Sequence, residues 1–307
     1  MKVSIVGAGN VGATAAQRMY ALELARQVVL VDVVPGLAYG KALDMQQAAP
    51  LIESDCRITG ATSFDATAGS DIVVITAGLA RKAGMSRDDL LARNAQTVRD
   101  VARQIVARSP NAILITVSNP VDEMTWVTLR ASGLDRRRVI GMSGVLDSTR
   151  LRSFIAQELH AGVEDVDALV VGSHGDAMVP LVRYASVAGI PVAHLLPPER
   201  IAAIVERTRN AGSEIIDLLK TSSAYYAPAA AITAMVESII RDKRRILPCA
   251  TLLQGEYGLR DVVLGVPAKL GRDGIEEIVE IELLEEERMA LKRSAQVVRD
   301  NIARLPE

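Results

Sequence analysis

Glycines at positions 7, 9 and 12 follow directly on a short apolar run, Val3-Ser4-Ile5-Val6, and no other feature of the chain restricts its fold as much. A strand that ends in closely spaced glycines can turn sharply, because glycine reaches backbone conformations closed to other residues. After Gly12 the pattern becomes helical over residues 13–25, with Ala16, Met19, Tyr20, Leu22 and Leu24 as apolar positions. A second apolar strand, Val28-Val29-Leu30-Val31, then runs into Asp32. Gly7-Ala8-Gly9-Asn10-Val11-Gly12 is thus G-x-G-x-x-G between a strand and a helix, with an acidic residue closing the next strand. In such a unit the first glycine permits the tight turn, the second lets a pyrophosphate approach the backbone, and the third lets helix and strand pack closely. Free amides at the helix start favour the phosphate charge. A carboxylate at position 32 would accept hydrogen bonds from an adenosine ribose diol and repel a 2′-phosphate. The expected ligand is a dinucleotide, NAD in preference to NADP.

Further strands extend this unit to a full doubly wound sheet. Residues 36–49 read as a helix, 57–60 as a third strand and 71–76 as a fourth. Ser86 can cap the next helix, with Asp89 at the capping-box position. Leu90, Leu91, Val98, Val101, Ile105 and Val106 keep its period until Ser109-Pro110-Asn111 stops it. Residues 112–117 form a fifth strand, all apolar or Thr, as a strand covered on both faces should be; residues 139–141 form a sixth. The texture changes after residue 144. A helix at 146–159 and a strand at 166–171 precede strand-like runs at 178–182 and 188–193. Helices at 199–219 and 227–240, strands near 250–254 and 262–266 and a charged helix at 283–305 complete the chain. The expected class is α/β: a doubly wound parallel (Rossmann) sheet in residues 1–144, then an α+β substrate-binding and catalytic domain in residues 145–307.

Composition narrows the function classes. A net charge of −2 gives no electrostatic reason to expect nucleic acid or a membrane as partner. The short basic clusters at 136–138 and 241–245 read as solvated turns. Cys56 and Cys249 lie far apart, with no Cys-x-x-Cys and no His at ligand spacing, so two buried thiols and no metal are expected. The chain opens on strand residues, and no apolar run approaches the ~18 residues that span a bilayer. The expected location is the cytoplasm, where thiols stay reduced.

Residues 77–87, Ala-Gly-Leu-Ala-Arg-Lys-Ala-Gly-Met-Ser-Arg, leave the fourth strand at the carboxyl edge of the sheet, where open α/β folds place ligands. Arg81, Lys82 and Arg87 make this loop cationic. Guanidinium forks match carboxylates bidentately, which suits an anionic ligand, although solvated surface charge is the plainer reading. His174 ends a strand in Gly172-Ser173-His174-Gly175, where glycines leave room for a ligand. His160, at a helix end, and His194, before Leu195-Leu196-Pro197, have no such setting. Asp147 and Arg150 are three residues apart and share a face of the helix that opens the second domain. A carboxylate beside a histidine fixes its tautomer and favours its protonated form. Taken alone, Asp147 and Arg150 would read as a surface ion pair.

Together these pieces describe hydride transfer on an anionic substrate. The chain resembles the lactate/malate dehydrogenase family, on its malate-specific side, through Gly7 to Gly12, Gly40-Lys41-Ala42-Leu43-Asp44-Met45, the loop at 77–87, Ser118-Asn119-Pro120-Val121-Asp122, residues 146–150 and residues 172–176. The resemblance implies that His174 exchanges a proton with the ketone of oxaloacetate and the hydroxyl of malate, with Asp147 orienting it. It implies that Arg150 grips the carboxylate next to the reacting carbon, Arg87 polarises the carbonyl as the loop closes, and Asn119 binds substrate and the nicotinamide end of NAD. Arg81 occupies the position that distinguishes substrates, where lactate-specific relatives carry Gln. Cofactor contacts are implied for Gly7, Ala8, Gly9, Asn10, Val11, Gly12, Asp32, Asn94, Val117, Ser118 and Asn119, and a place in the substrate pocket for Ser223. A homo-oligomer, dimeric or tetrameric, is implied as well. Two positions depart from the pattern: Ala83 stands where many relatives have Pro, and residues 221–226 differ from the lactate enzymes.

Two other readings stay open at this level. A dehydrogenase for lactate or another 2-hydroxy acid is disfavoured by Arg81, whose guanidinium would face the methyl group of pyruvate without a partner. A non-enzymatic NAD-binding protein would leave His174, Asp147, Arg150 and Arg87 without a shared role.

Overall fold

Alternate residues of the first strand enter opposite cores: Val3 and Ile5 face one, Val6 the other, and Ile72/Val74 and Val73/Ile75 divide in the same way on the fourth strand. That is the pattern of a sheet covered by helices on both faces. The structure is a computed structural model that describes residues 1–79 and 87–305, with residues 87–89 described as helix backbone alone. Arg81, Lys82, Ala83, the Ser86 cap and the Arg87 side chain lie outside the described residues.

The first half runs β1 (Lys2–Val6), α1 (Asn10–Ala21), β2 (Gln27–Val31), α2 (Leu37–Gln47), α3 (Ala49–Ile52), β3 (Arg57–Ala61), β4 (Ile72–Ile75), α4 (Arg87–Arg108), β5 (Ile113–Thr116), α5 (Val121–Ser132) and β6 (Val139–Gly141). The strands are parallel in the order β3-β2-β1-β4-β5-β6, so the chain reverses direction across the sheet between β1 and β4. That reversal puts a crevice at the carboxyl ends of β1 and β4, beneath the glycine turn. Helix α1 stops at Ala21, short of the expected residue 25. Glu23 turns left-handed (φ 48°), and the Leu24 amide reaches back to the Met19 carbonyl, so that Leu24 is buried beside the helix end.

The second half runs α6 (Gly144–Leu159), β7 (Val166–Asp167), β8 (Val170–Val171), β9 (Val179–Pro180), β10 (Ser186–Val187), β11 (Ile190–Pro191), α7 (Val192–Leu195), α8 (Pro198–Leu219), α9 (Tyr226–Ile240), β12 (Arg245–Gln254), β13 (Arg260–Gly271), β14 (Gly274–Ile278) and α10 (Glu285–Ile302). The single strand expected at 166–171 is two, because β7 joins a three-stranded sheet with β10 and β11 while β8 pairs with β9. The strand expected at 188–193 shrinks to β11: Ala188 and Gly189 before it both take positive φ, as a two-residue turn between antiparallel strands requires, and α7 begins at Val192. Strands β12 and β13 run further than their apolar centres suggest, through a facing pair of prolines, Pro248 and Pro267.

Strand β14 had no apolar run to announce it, although Asp273-Gly274 marks its hairpin. Antiparallel β12, β13 and β14 continue the parallel strands beyond β6 into one nine-stranded sheet, joined where Ala250 meets Gly141. Helix α9 belongs to the second half in sequence, yet its Ile232, Met235 and Val236 share a core with β1 and α1. Among the described residues no helix is long and apolar enough to cross a membrane.

Candidate active site

At the end of β1 the backbone of Gly7 takes φ 107°, and its amide donates to the Val31 carbonyl at 2.8 Å. Thr76, just past β4, donates its hydroxyl to the Gly7 carbonyl at 2.9 Å and fills the space beside Gly7 and Gly12. A Cβ on Gly12 would stand 1.9 Å from the Gly7 carbonyl oxygen, so the helix lies as close to the turn as glycine alone allows. Gly9 differs from both. It is the N-cap of α1, it offers no side-chain cap, and a Cβ there would meet nothing within 4 Å. Asn10 and Val11 form the first turn behind it. An uncapped helix start with open space before it fits a pyrophosphate.

Asp32 follows β2, and both of its oxygens hold backbone: Oδ2 accepts from the Ala8 amide at 2.7 Å and Oδ1 from the Val34 amide at 2.9 Å. The remaining lone pairs of the two oxygens are what a ribose diol could use. Lys41 of α2 donates to the Ala8 carbonyl at 2.7 Å, a contact to the glycine turn to which sequence reading gave no role. The signal was present, since Lys41 lies in a segment that matches the family.

Asn94 of α4 is buried and braces two loops. Its Oδ1 accepts from the Leu79 amide at 2.8 Å, and its Nδ2 donates to the Leu79 carbonyl at 3.2 Å and to the Asn119 carbonyl at 2.7 Å. Ser118 donates to the Ala77 carbonyl, and the Val117 amide to the Ile75 carbonyl at 2.9 Å. Asn119 is exposed at this edge and is joined to Pro120 by a cis peptide bond. The ends of β4 and β5 are therefore one hydrogen-bonded unit.

His174 lies beyond β8, on a turn pinned by three elements. Gly172 exchanges two backbone hydrogen bonds with Gly265 of β13; the Ser173 amide donates to Ser294 of α10 at 2.7 Å; and the His174 amide donates to Asp122 Oδ2 of α5 at 2.8 Å. The last bond ties the turn to the segment that carries Asn119. The His174 ring meets Asp147 of α6, with Nδ1 2.8 Å from Oδ2, and Arg150 Nη1 donates to the other Asp147 oxygen at 3.4 Å. Three side chains proposed separately from the sequence thus form one cluster, with exposures of 17% for His174, 1% for Asp147 and 11% for Arg150. Arg150 Nε is buried without a partner, and Gly212 of α8 leaves the nearby Nη2 room, with its notional Cβ 3.9 Å away. A guanidinium with unused donors beside an imidazole suits a carboxylate ligand. His160 caps the end of α6 and His194 lies exposed in α7, neither in this cluster; Ser223 is exposed between α8 and α9.

Burial pulls the His174 imidazole down, but the charge and hydrogen bond of Asp147 outweigh it, and the pKa rises above its usual value. Arg150 is lowered by burial, with Asp147 opposing. Asp122 went without a role in the sequence reading, though it closes Ser118-Asn119-Pro120-Val121-Asp122. Burial, then the charge of Glu123, push its carboxyl up to about 8. Glu123 is raised by burial too, while Asn301 of α10 donates to it at 2.6 Å. Among the described residues, no group of three or more His, Cys, Asp or Glu is arranged to hold a metal ion.

Comparison with known proteins places this geometry. Residues 1–141 match the lactate/malate dehydrogenase NAD binding domain, and residues 144–307 the lactate/malate dehydrogenase alpha/beta C-terminal domain. The chain is 56% identical to a malate dehydrogenase of Chloroherpeton thalassium over 98% of its own length and 97% of the relative's. The solved malate dehydrogenase of Salinibacter ruber superposes with a TM-score of 0.95 at 50% identity, covering 99% of this chain and 97% of that one. A Cryptosporidium parvum lactate dehydrogenase, solved with lactic acid and nicotinamide adenine dinucleotide, superposes equally well (TM-score 0.95) at 37% identity, covering 98% and 96%. Overall shape is common to both activities, and of these two solved structures the malate dehydrogenase has the higher identity. The chain belongs to the lactate/malate dehydrogenase family.

Proposed function

We propose that the protein is an NAD-dependent malate dehydrogenase, interconverting (S)-malate and oxaloacetate. The observation that carries this reading is the largely buried His174–Asp147–Arg150 cluster, whose histidine sits on a turn tied to the carboxyl edge of the dinucleotide-type sheet. NAD supplies the hydride acceptor, or as NADH the donor, when bound; Gly7 to Gly12 and Asp32 would hold its pyrophosphate and adenosine ribose.

Asp147 accepts from His174 Nδ1 and so leaves Nε2 as the ring nitrogen that exchanges a proton with substrate. With the ring protonated, Nε2 donates to the ketone oxygen of oxaloacetate; with the ring neutral, it accepts the proton of the malate hydroxyl. A cationic donor aimed at an oxygen that gains charge stabilises the transition state more than the ground state. Arg150 would hold the carboxylate beside the reacting carbon. Asn119 would orient the substrate, and Asn94, Val117 and Ser118 would shape the cofactor edge. Arg87 is assigned to the carbonyl and Arg81 to the far carboxylate on the family resemblance. Ser223 is assigned to the pocket wall on the same ground.

Replacing His174 with Asn tests the reading. Oxaloacetate-dependent NADH oxidation should fall by about 10²–10⁴-fold, with NADH binding kept. Near-normal turnover would remove His174 from the reaction.

The protein also reads as a homo-oligomer, for Tyr39, Leu43, Leu51 and Ile52 on α2 and α3 are apolar and exposed; sedimentation as a monomer at micromolar concentration would refute this. Its proposed compartment is the cytoplasm, which suits Cys56 and Cys249, both buried free thiols.

A further inference from the structure

Beneath the candidate proton-exchanging histidine lie two adjacent acidic side chains for which the proposed reaction has no use. Asp122 and Glu123 open α5 and are 1% and 3% exposed. Asp122 spends one oxygen, Oδ2, on the His174 amide, while Oδ1 is buried without a hydrogen-bond partner. A structural carboxylate of this kind ordinarily has all its lone pairs satisfied or a cation beside it. Here the charged groups acting on Asp122 are Glu123 on its own helix and Asp147 from α6, both opposing its ionisation, and His174 from the turn after β8, favouring it. Glu123 is in turn held by the neutral Asn301 of α10.

We propose that Asp122 is a positioning residue for His174, anchoring its backbone and compensating the charge of its ring. When the imidazole is protonated, the carboxylate form of Asp122 is favoured and holds the cation in a buried site. When the imidazole is neutral, Glu123 and Asp147 favour the carboxylic acid. Each group exchanges its own proton with solvent, so the buried site changes its net charge less than the histidine alone would dictate. The inference rests on His174 as the proton-exchanging group.

The test is the pH profile of kcat/KM for oxaloacetate with NADH, across neutral and alkaline pH, in wild type and Asp122→Asn. Asn keeps an acceptor for the His174 amide and removes the charge. Wild type should show a limb stretched by two linked ionisations. The variant should show a single ionisation, displaced to lower pH by roughly one unit. A variant that loses turnover yet keeps the wild-type profile makes Asp122 mere scaffold and overturns the proposal.

A second arm leaves Asp122 in place. The infrared carbonyl band of a buried protonated carboxyl, followed against pH in Glu123→Gln protein, should persist to higher pH when His174→Asn is added. An unchanged midpoint, or no such band, overturns the proposal as well. Wild type inactive with oxaloacetate would refute the proposed function instead; the infrared arm reads the Asp122–His174 linkage whether or not the enzyme turns over.

Discussion

His174 is the residue whose environment says most about chemistry, because a group held above its usual pKa can still donate a proton at neutral pH. Oxaloacetate reduction needs the imidazolium, so its kcat/KM should fall as pH rises through the elevated His174 pKa, and malate oxidation should rise across the same interval. Asp147→Asn removes the dominant raising influence. Both limbs should move to lower pH, and the reduction rate at neutral pH should drop by about 10²-fold or more; unchanged limbs would dissociate Asp147 from His174.

The same shift links to folding. A histidine bound more tightly to its proton in the folded state stabilises the fold fully below its unfolded pKa, and that contribution is lost as pH rises through the folded value. At this scale, sequence showed Asp147, Arg150 and His174 as candidates and left their contact to the family resemblance. Sequence separation hides a 2.8 Å contact between residues 147 and 174. Asp122 was harder still: its role depends on a backbone amide 52 positions away.

The glycine turn is where element and ligand meet, and its glycines separate two functions of small size. Gly12→Ala would drive a methyl group against the Gly7 carbonyl, so a large fall in thermal stability is expected together with loss of NADH binding. Gly9→Ala meets no protein atom and keeps a negative φ, so the fold should keep its melting temperature while NADH affinity falls roughly tenfold or more. Calorimetry and NADH fluorescence titration check the pair, and equal losses of stability in both variants would contradict it.

The central strands of this half were legible because strands buried on both faces are nearly continuous apolar runs, as β2 and β4 are. The second half was less so. Residues 188–193 read as one strand because Ile190 and Val192 are apolar, yet only Ile190–Pro191 is strand, between a turn and a helix start, and β14 carries the adjacent pair Glu276-Glu277 on a sheet edge. Local pattern does not reveal which partner a two-residue strand such as β7 will find.

Across the whole molecule, one sheet runs from β3 to β14, and α9 carries second-half residues into the core under the glycine turn. Two sequence-level halves therefore share structure, and thermal unfolding should be a single cooperative transition that NADH moves upward by mass action; two resolved transitions would contradict this. The same scale bears on specificity, because the fold is common to malate- and lactate-acting relatives. Arg81→Gln should lower kcat/KM for oxaloacetate and raise the relative rate with pyruvate, and an unchanged ratio would end that assignment.

The most direct test of the central claim is the absorbance of NADH with the wild-type protein and, in parallel, oxaloacetate, pyruvate or no substrate. A malate dehydrogenase oxidises NADH rapidly with oxaloacetate, far more slowly with pyruvate and not at all without substrate. Equal or faster turnover of pyruvate, or no turnover with either acid, would contradict the claim.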